Sequence, residues 1–461
     1  MFTTTIAAIA TPYGRGGISV IRISGDEAIA IADTIFKAKN KKTLAETKGF
    51  SMLYGDICSD GRVIDDGIAS LFRAPHSYTG EDTVEISCHG GILITESVLT
   101  AILTAGAVQA GPGEFTKRAF VNGKLTLSEA EGVINLIDAE TVDKMHLARS
   151  HTSGVFSRKI DRIYENLLAL VSQTYVYADY PDEDLTDLSI SELKEGIKEA
   201  LADVKALLTT YKAGHAISDG IYTVVAGKPN TGKSSLMNAL LGKERAIVSS
   251  HAGTTRDYLE EKATVGKIFL KLVDTAGIHE ADDEVEKIGI SRSVSALEKA
   301  ELILAVFDAS VSPTKEDVAF LSKLKTLPVP KIAILNKNDL ETDHTSEYLA
   351  HFQDGFNQII SLSAKHGKGL DDLKNTIESL FVSGEIDYDN TAIVANARQN
   401  ASLLQTAEHL NRAILALDSG FTQDIAGMDI ENAMASLAET DGRNVTTDIV
   451  DRIFHNFCVG K

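Results

Sequence analysis

The chain is poor in cysteine, short of basic residues relative to acidic ones, and without a long apolar run. Each shortage excludes something. Its three cysteines, Cys58, Cys88 and Cys458, are odd in number and far apart, so no disulfide framework is expected and a reducing setting is natural. No stretch of about 18 apolar residues is present, so no transmembrane helix is expected. The stretch "MFTTTIAAIATPYGRGG" lacks the basic start and apolar core of a signal peptide, and a cytoplasmic chain with no membrane partner is expected. Against 65 Asp and Glu stand 45 Lys and Arg, a net charge of −20. Broad, self-sufficient nucleic-acid binding is disfavoured, because neutralising phosphates takes clustered cations; any RNA contact needs a local patch or a basic partner.

What is present is most legible in the middle of the chain. "IYTVVAG" reads as a buried strand and "KSSLMNALLG" as a helix with Gly242 near its end. "IFLKLVDTAG", "AELILAVFDAS" and "VPKIAILNKND" repeat one theme, an apolar strand ending in a polar cluster. Strands alternating with helices predict a parallel α/β sheet whose polar clusters converge beyond the carboxyl ends of the strands. Both flanks read as helical. One helix starts at a capping box, Ser128-x-x-Glu131, with Ala130, Ile134 and Ile137 on one face. Others carry Ile190, Leu193, Ile197, Leu201, Val204 and Leu208, or Leu404, Leu410 and Ile414. The first 120 residues, with strands such as "ISVIRIS" and "DTVEISC", read as a compact α+β domain. The expected fold class is multidomain: an α+β N-terminal domain (1–120), a discontinuous all-α helical domain (121–216 and 380–461), and an inserted α/β P-loop GTPase domain (217–379).

"GKPNTGKS", Gly227 to Ser234, follows a strand and opens a helix, the context a phosphate-binding loop requires. Its amides, with those of Asn230, Thr231, Gly232 and Ser235, wrap phosphates; Lys233 reaches the β/γ oxygens, and Ser234 offers a hydroxyl to Mg²⁺. "GTTRD" supplies Thr255 as the second Mg²⁺ hydroxyl, with Thr254 beside it. In "DTAG", Asp274 holds the metal shell and Gly277, after Thr275 and Ala276, senses the γ-phosphate. "NKND" reads the base through Asn336, Lys337 and Asp339. A carboxylate at Asp339 accepts from both N1–H and the 2-amino group of guanine, which adenine cannot offer. "SAK", Ser363, Ala364 and Lys365, places an amide near the guanine O6. Four such clusters in this order make a GTPase domain. Ile278 follows "DTAG" where a Gln would orient water, and no arginine finger is visible. The amide oxygen of Asn230 either holds a monovalent cation in that place or braces the loop.

The chain ends "FCVGK". As a prenylation box it fails, since Gly460 is a poor aliphatic position, Lys461 is not a usual last residue, and no polybasic stretch precedes it. The helix before it, "TTDIVDRIFHNF", has a packing face in Ile449, Ile453 and Phe454.

Together "TPYGRGGISVIRISG", "GEDTVE", "CHGG", "GPGEFTKRAFVNGK", "LSEAEGVINLIDAET", "GKPNTGKSS", "AGTTRD", "DTAGI" and "FCVGK" closely resemble the bacterial tRNA uridine-modifying GTPases of the MnmE (TrmE) family, from about residue 5 to the last. The resemblance implies a K⁺-dependent GTPase, homodimeric through its N-terminal domain. With the flavoprotein MnmG (GidA), in a heterotetramer-type complex, such proteins place an aminomethyl or carboxymethylaminomethyl group on C5 of the wobble uridine of certain tRNAs. The one-carbon unit comes from 5-formyl- or 5,10-methylene-tetrahydrofolate. By position, the resemblance implies a K⁺ shell of Asn230, Ser249, His251 and Thr254. It also makes Glu286 a water-positioning residue, although alone it reads as a solvated carboxylate. Folate contacts carry over to Arg22, Glu85, Lys124 and Lys461, the first three of which read alone as surface charges. Cys458 would lie near the reactive carbon, as a nucleophile or as lining. A regulatory GTPase serving as a ribosome-assembly checkpoint is the competing reading; the N-terminal motifs and the tail speak against it.

Overall fold

The computed structural model describes residues 3–179, 189–242, 261–274, 296–340, 344–352, 355–443, 445–455 and 457–460. The chain divides into two compact units. One comprises Met1–Ile134, His151–Ser189 and Ala416–Lys461, the other Asn135–Ser150 and Ile190–Leu415.

The first unit is built on a seven-stranded sheet of β1 (Ile6–Ile9), β2 (Ile18–Ser24), β3 (Phe36–Ala38), β4 (Ser51–Ser59), β5 (Arg62–Phe72), β6 (Thr83–His89) and β7 (Val108–Gln109), in the order β3-β4-β5-β6-β2-β1-β7. Only β1 and β7 pair in parallel. Alternation along β2 sends Ile21 and Ile23 into the core with Val84, Ile86, Val98 and Ile102, and leaves Arg22 on the other face. Asp60 and Gly61 close the long β4–β5 hairpin with positive φ at both positions, 48° and 74°, as a two-residue hairpin turn requires.

Helix Leu127–Ile137 starts two residues earlier in its capping pattern than its sequence suggested. Thr126 Oγ1 accepts from Glu129 N at 3.2 Å and Glu129 Oε2 from Thr126 N at 2.8 Å, so Thr126-x-x-Glu129 is the capping box. Ser128 is buried inside the helix and donates to Thr440 O at 3.0 Å. The last helix, Thr447–Phe454, packs through Val450 and Phe454 against Leu127, Ala130 and Phe457, while Ile449 faces solvent. Val450 thus takes the inward place expected of Ile449.

The second unit holds a six-stranded sheet: β8 (Ile221–Ala226), β9 (Glu261–Val265), β10 (Ile268–Asp274), β11 (Leu302–Asp308), β12 (Lys331–Asn336) and β13 (Gln358–Ser361), in the order β13-β12-β11-β8-β10-β9. All pairs are parallel except β9–β10. β8 is buried on both faces: Ile221 and Val225 enter one core with Leu236 and Leu304, Val224 and Ala226 the other with Phe307 and Leu335. Helix Ile190–Ser218 buries Leu193, Ile197, Leu201 and Val204 as expected, but leaves Ile190 exposed. In helix Ala397–Asp418 the inward residues are Leu403, Leu410 and Ala413, and Leu404 points out.

Where helix Ile190–Ser218 meets β8, His215 lies between two carboxylates, Asp219 at 3.2 Å and Glu301 at 2.7 Å. Glu301 also accepts from Tyr222 N at 2.9 Å, joining the helix end to the start of β8. Hydrogen bonds to Asp219 and Glu301 raise the imidazole to about 9 from its ordinary 6.5. A group whose folded value is raised stabilises fully below its unfolded value and loses that contribution as pH rises through the folded one. The melting temperature should therefore fall between about pH 6.5 and pH 9, and more steeply than in His215→Gln. Identical pH profiles would show that this cluster does not brace the junction.

Candidate functional site

The loop after β8 leaves the sheet where strand order reverses, with β10 on one side and β11 on the other, which is where open α/β sheets bind ligands. The backbone of this loop is specified by glycine. A Cβ on Gly227 would stand 2.4 Å from Val306 O, and one on Gly232, whose φ is +98°, 2.1 Å from Asn336 Nδ2. Asn230 sits between them in the left-handed region, φ +63°, a conformation that asparagine tolerates better than most residues. Lys233 opens helix Lys233–Leu241 with its stem buried. Its Nζ donates to Gly227 O at 2.9 Å and Lys228 O at 2.8 Å, which holds the ammonium at the loop. Ser234 and Ser235 are exposed on the first helical turn, where free amides and the helix dipole favour anions.

Two residues not singled out from sequence brace this loop. Lys228 Nζ pairs with Asp317 at 3.1 Å and Glu316 at 3.2 Å and contacts the Thr314 hydroxyl. Its carbonyl also accepts the Thr231 hydroxyl at 3.0 Å. Burial pushes the Asp317 carboxyl up, but hydrogen bonds from Thr314 and Lys228 outweigh it and hold the group below its usual range. The available signal was the capping box Thr314-x-x-Asp317, which opens helix Lys315–Lys325.

The base-reading cluster gathers on the same rim. Asn336, buried at the end of β12, donates from Nδ2 to Thr231 O at 2.8 Å and accepts Ala364 N on Oδ1 at 2.9 Å. One side chain thereby joins the phosphate loop, "NKND" and "SAK". Lys337 has φ +69° and pairs with Asp308 at 2.5 Å, a strand-end carboxylate that the sequence reading passed over. Burial raises Asp308, but hydrogen bonds from Lys337 and Ser310 hold it below the carboxylate norm. The Ser363 hydrogen bond, with His366 at 3.5 Å, lowers Asp339 and keeps it an acceptor. Lys365 lies in the same loop. Asp274 ends β10 opposite Val225 of β8, next to the phosphate loop. Its side chain, and Ser249, His251, Thr254, Thr255, Thr275, Ala276, Gly277 and Glu286, lie outside the described residues.

In the first unit, Arg22 and Glu85 face one another across β2 and β6 and pair at 2.8 Å, rather than standing as separate charges. The guanidinium lies 5.5 Å from the ring centroids of both Tyr78 and Phe115, so the pair rests on an aromatic floor. Lys124 Nζ donates to Pro75 O at 3.0 Å, and Lys124 also lines a cavity of about 500 Å³ with Phe120, Glu129 and Arg443. The tail is docked rather than frayed. Val459 bridges Pro112, Gly113 N donates to Cys458 O at 3.2 Å, and Phe457 is buried against Phe454. A Cβ on Gly460, at φ +97°, would come within 2.2 Å of Ile9 O. Ile9 follows Ala8, the β1 partner of Arg22, so the tail lies one strand from the Arg22–Glu85 pair. Cys458 is exposed there, and Lys461 is outside the described residues.

Residues 5–124 match a family model described as the GTP-binding protein TrmE N-terminus, and residues 127–458 one described as the MnmE helical domain. The chain is 40% identical over 457 residues to the tRNA modification GTPase MnmE of Clostridioides difficile (strain 630), covering 99% of each. It is 39% identical over 464 residues to the protein of that name from Thermoanaerobacter pseudethanolicus (strain ATCC 33223 / 39E), covering 100% of each. A solved structure of Aquifex aeolicus Era is similar over 41% of this chain and 66% of that one, at 28% identity and a TM-score of 0.30.

Proposed function

The chain belongs to the MnmE family of tRNA modification GTPases, and on that premise we propose that it is a GTP hydrolase acting in tRNA modification. With an MnmG-type flavoprotein it adds an aminomethyl or carboxymethylaminomethyl group to C5 of the wobble uridine, drawing one carbon from a tetrahydrofolate. It works as a homodimer joined through the first unit. The observation that carries the GTPase reading is Asn336, whose side chain ties the phosphate loop and the base loops into one rim. Lys233, held by Gly227 and Lys228 carbonyls, is placed for the β/γ-phosphates, and Asp339 for the guanine edge. The exposed Ser234 hydroxyl would hold a Mg²⁺ ion, with Asp274 at the end of the neighbouring strand and Thr255 as the further ligands proposed from sequence. The left-handed, exposed Asn230 fits a K⁺ ion shared with Ser249, His251 and Thr254. When bound, these cations neutralise charge on the phosphate oxygens, and Glu286 positions the attacking water.

The paired Arg22 and Glu85 offer donors and an acceptor side by side over Tyr78 and Phe115, which suits a flat heterocycle such as a pterin. Lys124 and Lys461 take its remaining polar groups. Cys458 presents a thiol from the docked tail, as nucleophile or pocket wall. The test is calorimetric binding of 5-formyltetrahydrofolate to the intact chain and to one lacking Cys458 through Lys461. Binding that weakens on truncation is expected. No binding to either form would overturn the folate assignment and leave the GTPase reading standing without a one-carbon source.

A further inference from the structure

A chain of net charge −20 that handles tRNA needs a local concentration of positive charge, and the first unit has one. Five of the twelve residues 37–48 are lysine (Lys37, Lys39, Lys41, Lys42 and Lys48), whereas the whole 461-residue chain holds 45 Lys and Arg. All five are exposed, on the edge strand β3 and the loop that follows it.

The loop is held firmly from below. Asp33 accepts Leu44 N at 2.6 Å and Ala45 N at 3.0 Å, and Leu44 is buried. Arg73 reaches up from the end of β5 and donates to Ala45 O at 2.8 Å and Thr47 O at 3.1 Å. Asp33, below the loop, is therefore spent on backbone amides, and Glu46, the one acidic residue within the segment, accepts Thr43 N at 3.3 Å. Asp56 is paired with Lys39. Lys41, Lys42 and Lys48 form no ion pair among the described residues. Two residues beyond Lys48, Phe50 is 72% exposed, its ring edge-on to Phe72. Cations on an ordered loop beside an open aromatic face suit a phosphate backbone with a neighbouring unstacked base.

We propose that the lysine-rich segment 37–48 of the first unit is a docking surface for the phosphate backbone of tRNA. The inference rests on the reading of tRNA as the molecule acted upon. Fixing the lysines on a braced loop lowers the ordering cost of binding, and their role is to hold the RNA in register without reading its sequence.

The test titrates a fluorescently labelled tRNA transcript with the intact chain at several salt concentrations. The triple variant Lys41→Gln, Lys42→Gln, Lys48→Gln is compared with wild type and with the corresponding triple Arg variant. Loss of three phosphate contacts should flatten the slope of log K against log salt by about 2 and weaken binding on the order of tenfold. The Arg variant should bind like wild type, and GTP hydrolysis should be equal in all three. Equal affinity and slope in the Gln variant would overturn the proposal while leaving the tRNA reading intact. Loss of flavoprotein association with tRNA binding unchanged would assign the patch to a protein partner and overturn it equally. If wild type itself fails to bind tRNA, both the patch and the reading beneath it fall.

Discussion

Asp339→Asn should exchange guanine for xanthine. The ionised carboxylate, held below its usual range by the Ser363 hydrogen bond, can accept both N1–H and the 2-amino group. An amide accepts only one and turns its NH₂ toward the other. With guanine, two donors then face each other; with xanthine, whose C2 bears a carbonyl, the amide donates and the pair is restored. Sites that hydrogen-bond a group reject the analogue lacking it on the order of 10⁴-fold. A loss of kcat/KM for GTP of that order is expected, with xanthosine triphosphate turned over near the wild-type GTP rate. The rim should survive the change, because Asn336 still joins the phosphate loop to both base loops, and only the Asp339–Ser363 hydrogen bond is altered. Retained GTP preference in the variant would show that Asp339 does not read the base.

Gly460→Val should separate the two activities of the chain. At φ +97° a Cβ is strained in any case, and here it would meet Ile9 O at 2.2 Å, Ile9 C at 3.0 Å and Ala10 Cα at 3.2 Å. All three are backbone atoms in or beside β1, so none can swing aside. The tail must lift, carrying Cys458 away from the Arg22–Glu85 side of the sheet. In the proposed role of Cys458 at the reacting carbon, a displacement of about 1 Å is enough to cost on the order of 10²-fold. tRNA modification should fall at least that far, while GTP hydrolysis, housed in the second unit, stays near wild type. Nucleoside analysis of tRNA treated with the variant and the proposed flavoprotein partner reads the first, and phosphate release the second. Unimpaired modification would reduce the tail to a structural strap.

The nucleotide site was legible because its chemistry is local in sequence. Gly227, Gly232 and Lys233 lie within seven residues, and each later cluster closes its own strand, so periodicity alone sends them to one rim. Its bracing was not legible. Lys228 finds Asp317, and Lys337 finds Asp308, only across strands and helices that the sequence does not order in space. The helical flanks show the same division. Their existence followed from 3.6-residue periodicity, but choices between neighbours did not. Leu403 over Leu404, and Val450 over Ile449, are decided by which face meets another element, since both members of each pair are equally apolar. The cap moved from Ser128 to Thr126 for a non-local reason. Leu127 N donates to Asp441 O, and a Cβ at Gly442 would touch Leu127, so residues more than 300 positions away draw Leu127 and Ser128 into the core.

The sequence by itself determined that this chain binds a guanine nucleotide, where the inner strands of its two sheets lie, though not β3, β7, β9 or β13, and which family it resembles, because those rest on motifs whose backbone demands are met within a few residues. The tertiary structure alone decided that Arg22 and Glu85 act as a pair, that Asn336 joins three loops, and that the last residues seat against Ile9. Those are contacts between segments far apart in the chain, and their geometry exists only once the strands have found their register.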